Sequence, residues 1–153
     1  MRNKVDRFLE MSLSVLLALM VVNVLWQVAS RYLLNDPSSF TDELSRYMLI
    51  WLGLFGAAYA SGKNMHVSID LLQRGLSEQG IFYQKITIKL LIIFFSIVMI
   101  IGGLRLVYIS FHLGQLSSAM QLPLGYVYMA LPLSGVLITF YTALDLINLK
   151  KSS

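Results

Sequence analysis

The sequence predicts an all-α integral membrane protein with four transmembrane helices and a short amphipathic interfacial helix between helices 2 and 3. Three observations carry that expectation. The 153 residues are 57% hydrophobic and only 13% charged, whereas a soluble domain is about a quarter charged. Four apolar stretches have lengths near or above the roughly 20 residues that a helix needs to cross a bilayer. The basic residues lie between those stretches, so the net charge of +4 reads as an orientation signal and not as a nucleic-acid surface. Cysteine is absent, which excludes disulfides and thiolate metal sites. The length suits one membrane domain of several spans and leaves no room for a large soluble one.

The first apolar stretch runs from about Met11 to Ser30. It follows MRNKVDRF, a start that could pass for a signal peptide. Its apolar part is longer than a signal core of roughly 7–15 residues, and no small-x-small cleavage site follows, so an uncleaved span is expected. The second stretch, about Leu44 to Ala60, is at the short end. Beyond it, Met65, Ile69, Leu72 and Leu76 fall on one helical face, with His66, Asp70, Gln73 and Arg74 off that face. That pattern predicts the helix lying on the interface. The third stretch is about Ile86 to Ile109 and the fourth about Tyr126 to Leu149. Pro132 lies within the fourth and has no N–H to donate, so a bend is expected near Tyr128.

Orientation follows from lysine and arginine. Nine of the 12 lie at the N-terminus, in the middle connection or at the C-terminus; Arg31, Arg46 and Arg105 lie on the other side. The positive-inside rule then places both termini in the cytoplasm.

Charge near the outer ends of the helices forms the candidate site. In TDELSRYMLIWL, Asp42, Glu43 and Arg46 stand at the threshold of the second span. Glu43 and Arg46 are helix-surface neighbours by spacing. Asn23, Gln27, Ser30 and Arg31 form a polar stripe on helix 1, and Arg105 lies about 6 Å inside Ile109 on helix 3. Topology puts Arg31, Glu43, Arg46 and Arg105 in the same leaflet. Pairing would offset the cost of charge in the bilayer, with Arg31 the expected partner of Glu43; free snorkelling to the headgroups is the bland alternative. Gly53, Gly56, Ala57 and Ala60 make a small-residue face suited to close helix packing.

Catalysis is not expected. The sequence holds no nucleophile constellation, phosphate loop or metal-ligand cluster. Haem is disfavoured as well, because His66 and His112 fall on opposite sides of a bilayer about 30 Å thick. The reading therefore has no enzyme activity and no cofactor.

The ordered motifs resemble a known family. Arg31-Tyr32, Phe40-x-Asp42-Glu43-x-Ser45-Arg46-Tyr47, Trp51-x-Gly53-x-x-Gly56-Ala57 and His66-Val67-x-x-Asp70 are similar to the small membrane subunit of tripartite ATP-independent periplasmic (TRAP) transporters, the DctQ type. Gln121-Leu122-Pro123 and Tyr126-x-Tyr128-x-Ala130-Leu131-Pro132 resemble the start of that family's last helix. The chain departs where the family often has two glutamates, here Asp42-Glu43, and often tryptophan, here Phe40. The resemblance implies a multi-pass protein of the bacterial inner membrane. It implies two partners: a large membrane subunit that imports an organic acid with sodium, and a periplasmic substrate-binding protein. The small subunit would brace the large one's scaffold and offer part of the docking surface, holding no substrate site itself. The rival readings are a stand-alone four-helix exporter, which would need a midplane acid that this chain lacks, and an anchor subunit of another complex.

Overall fold

The computed structural model describes residues 2–34, 38–63 and 78–152, with backbone alone at 78, 79, 82 and 148–152. The described residues form α1 (Arg2–Leu33), α2 (Ser39–Gly62), α3 (Glu78–His112), α4 (Leu124–Tyr128) and α5 (Ala130–Ser152). The expected interfacial helix, with His66 and Asp70, lies outside the described residues.

Three helical stretches are long and apolar enough to cross a membrane: Arg2–Leu33, Tyr83–His112 and Leu124–Ile147. α2 has 24 residues, about 36 Å at 1.5 Å per residue. Asp42, Glu43 and Arg46 stand in its first turns. Its start is well defined: the Ser38 hydroxyl accepts from the Thr41 N–H at 3.4 Å, and Asp42 sits in the first turn beside the positive end of the helix dipole. α1 is 32 residues long, about 48 Å. Its first turns, Arg2 to Glu10, therefore extend beyond the apolar stretch.

The fourth apolar stretch is helical on both sides of Met129, which itself keeps helical backbone angles (φ −59°, ψ −22°). The break between the short α4 and the long α5 falls there, one residue past the expected bend. Pro132 cannot donate to the Tyr128 carbonyl, and the chain restarts with the Leu133 N–H on the Met129 carbonyl at 3.3 Å.

α1 packs antiparallel on α2, α2 parallel on α5, and α5 antiparallel on α3. α2 and α5 are thus interior, while α1 and α3 flank them. Ala58, Ala130 and Tyr141 are fully buried between the helices. α3 meets α5 closely, with no room for a Cβ at Gly103 against Pro132 or at Gly135 against Ile100 and the Ser96 carbonyl. Both chain ends lie together at one end of the bundle, joined by Arg2 and Asp145. The α1–α2 connection and the 113–123 loop lie at the other, here named the loop end.

Candidate functional site at the two ends of the bundle

At the loop end, two adjacent acids serve two different neighbours. Successive helix residues point about 100° apart, so Asp42 faces α1 while Glu43 faces the 113–123 loop. Asp42 accepts from Gln27 of α1 at 2.9 Å and from Arg46, one turn on, at 2.8 Å. Asn23 adds a second tie between the helices, donating to the Thr41 carbonyl at 2.8 Å and the Ser45 hydroxyl at 2.7 Å. Asn23 and Gln27 of the polar stripe expected on α1 thus form the seam against α2, whereas Ser30 donates back to the Gln27 carbonyl within α1.

Glu43 is held by four donors. Tyr47, its own i+4 neighbour, donates at 2.6 Å. The backbone N–H groups of Ser118, Ala119 and Met120 donate at 3.1, 2.7 and 2.9 Å. Consecutive amides turned onto one anion form a small concave nest. The Tyr47 hydroxyl first, then the three amides, hold the carboxyl down to about 2, against partial burial that pushes it up. The loop is built to present these amides. Gly114 adopts a φ of +60° and Gln121 one of +55°, and Ser117 N–H donates to the Leu122 carbonyl at 2.9 Å.

The expected Glu43–Arg31 pair does not form, because backbone amides of the loop saturate the carboxylate. Arg46 pairs with Asp42 and not with Glu43, because the 42/46 and 43/47 rows lie on different faces. Arg31 and Arg105 stand on the two flanking helices, are exposed, and make no hydrogen bond or ion pair among the described residues. The four charges that topology places in one leaflet therefore do not meet. Gly53 and Gly56 have open space where a Cβ would sit, and Ala57 is exposed. Within the chain, close packing on α2 instead uses Ala58, fully buried, and Gly62, which lies against the Tyr141 ring. Trp51 makes an edge contact with Phe55 at 5.1 Å between ring centroids. It also lines an apolar cavity of about 300 Å³ with Leu16, Met48, Met120, Tyr126 and others.

The opposite end carries a second polar cluster that sequence reasoning missed. Arg2 donates to Asp145 at 2.9 Å and to the Gly62 carbonyl. Lys89 lies 3.4 Å from the same Asp145. Tyr141 donates to Asp6 at 2.5 Å, Tyr59 donates to Glu10 at 2.5 Å, and Lys63 lies 3.4 Å from Glu10. Arg2, Asp6 and Glu10 recur every four residues, one face of a helix. That spacing is the signal the sequence offers, masked because Arg2 also fits the pattern of an orientation charge. Chemically, both clusters join elements to one another. Among the described residues no three metal-ligating side chains gather.

Comparison with known proteins places the chain among transporter subunits. Residues 20–151 match the family described as tripartite ATP-independent periplasmic transporters, DctQ component. A Haemophilus influenzae protein named as a TRAP transporter small permease is 30% identical over 135 residues, 88% of this chain and 83% of that one. The sialic acid TRAP transporter small permease protein SiaQ of Vibrio cholerae is 26% identical over 141 residues, 89% of this chain and 78% of its own. The C4-dicarboxylate TRAP transporter small permease protein DctQ of Rhodobacter capsulatus is 28% identical over 102 residues, 66% and 44% of the two chains.

Proposed function

The chain belongs to the DctQ component family of TRAP transporters, a family of transporter subunits and not of enzymes, and on that premise we propose a specific role for it in a three-part importer. It is the small subunit of a sodium-coupled system in the inner membrane. It crosses four times, α2 included, with both termini cytoplasmic, and it braces the scaffold of a large transport subunit. A periplasmic binding protein delivers the substrate and meets the loop end. The observation that carries this reading is the family match over residues 20–151.

The physical reading is consistent with a bracing role. The polar side chains described above tie helices and the loop to one another, and no acid lies in the middle of an apolar stretch. The substrate class is an organic acid, by analogy with the sialic acid and C4-dicarboxylate relatives. The test is co-expression with a cognate large subunit and binding protein, reconstitution into vesicles, and uptake of labelled sialic acid and C4-dicarboxylates. Uptake that needs all three proteins and a sodium gradient is the expected result. A chain that purifies alone as a transport-competent homodimer would overturn the reading and favour the exporter.

A further inference from the structure

α3 is packed along one seam and exposed around most of the rest of its circumference. Lys89, Ser96, Ile100, Gly103 and Phe111 all meet α4 or α5. Half a turn away lie Phe94, Val98, Ile101, Arg105 and Tyr108, and all five are exposed. Four of these are large and apolar. Arg105 stands among them without a hydrogen bond or ion pair among the described residues. It precedes the helix end at His112 by seven residues, about 10 Å along the axis. Arg31, the other unpaired arginine of this end, lies only two residues before the end of α1, within easy reach of the interface. Arg105 is therefore the deep one, and it points away from the fold.

We propose that this exposed seam of α3 receives a helix of the large membrane subunit, and that Arg105 takes a carboxylate on that helix. The inference rests on the family reading above and adds the face and the chemistry. An arginine in an apolar span is costly unless paired. Its planar guanidinium matches a carboxylate through two parallel hydrogen bonds, which gain strength where water is excluded. A face of bare apolar residues would suit lipid and protein equally; the unpaired charge within it calls for a complementary one. Gly102, beside the seam and with open space around its Cα, lets a partner backbone approach closely.

The test co-expresses the tagged chain with its cognate large subunit and recovers the complex in mild detergent. Arg105→Leu and Arg105→Glu are compared with wild type, with the amount of each chain in the membrane as control. A photo-crosslinking residue is placed at Val98 or Ile101, and at Val22 on α1 for comparison. The expected result is a fall in recovered complex of about tenfold or more for both variants, and crosslinks to the large subunit from 98 and 101 but not from 22. Full recovery of Arg105→Leu, with crosslinks to lipid alone, would overturn the proposal and assign Arg105 to a headgroup phosphate. Where a variant fails to accumulate, the crosslinks in the otherwise unchanged chain decide. A wild-type chain that emerges without the large subunit would overturn the family-based role itself, a separate outcome visible before any variant is made.

Discussion

Glu43 is a single carboxylate on which four donors converge, three of them consecutive amides. Glu43→Gln replaces one acceptor oxygen by a donor, which must face an N–H or O–H. The amides of Ser118, Ala119 and Met120 are expected to exchange hydrogen about tenfold faster or more in that variant, read by mass spectrometry. The pH dependence has a definite sign. A carboxyl lowered to about 2 contributes its stabilisation fully above the ordinary carboxylate range and loses it as pH falls through about 2. Protection of those amides, corrected for intrinsic exchange, is therefore expected to stay flat from pH 8 to pH 5; loosening within that window would contradict the assignment. The position of this charge at the start of a helix was legible in the sequence. Its partners were not, because backbone N–H groups belong to every residue and leave no mark in composition. The i+4 spacing does pick out Asp42 with Arg46 and Glu43 with Tyr47. Glu43 and Arg46, three apart, are neighbours on the helix surface without pairing, and the expected partner Arg31 stays away from Glu43.

At the scale of the element, α3 offers an internal control. Gly102 and Gly103 are adjacent, yet a Cβ at Gly102 meets open space and one at Gly103 would lie 2.7 Å from Pro132 Cδ. Gly103→Ala is expected to destabilise the isolated chain by about 1–3 kcal/mol. Gly102→Ala is expected to be neutral or stabilising by up to about 1 kcal/mol. Thermal unfolding in detergent checks the pair, and equal effects would show that α3 does not pack on α5 through Gly103. The paired glycines were visible in the sequence, but which of them meets a neighbour depends on the rotation of α3 about its axis. An almost uniformly apolar helix conceals that rotation. The Gly53, Gly56, Ala57, Ala60 face illustrates the same point: small residues mark where a helix can approach, not whether the helix that does so belongs to this chain. Pro132 was more informative, since a missing donor acts at a fixed distance along the chain. The interruption accordingly falls at Met129.

At the scale of the whole molecule, the cluster around Asp145 joins α1, α3 and α5, and Arg2 reaches the Gly62 carbonyl at the end of α2. The Asp145 side chain is 7% exposed, against 33% for Arg2 and 15% for Lys89. Asp145→Asn leaves two cations without their counter-charge and is expected to cost roughly 1–3 kcal/mol, discounted for the exposure of Arg2. A thermal shift in detergent at low and moderate salt checks this. Arg2→Ala together with Asp145→Asn should cost less than the two single changes added. Three of the four apolar stretches, legible in the sequence, return as helices long and apolar enough to cross a membrane, and the second returns as the 24-residue α2. The lateral order of the helices was not legible, because it depends on which faces of separate helices meet, from Asn23 with Thr41 to Arg2 with Asp145.

That clamp also has a consequence in time. Arg2 and Asp6 lie on α1, whereas their partners Asp145 and Tyr141 lie on α5, 143 and 135 positions further along the chain. Until α5 has been made and has docked, the polar turns of α1 are served only by water and lipid headgroups. Closing the clamp is therefore a late step in the assembly of the bundle.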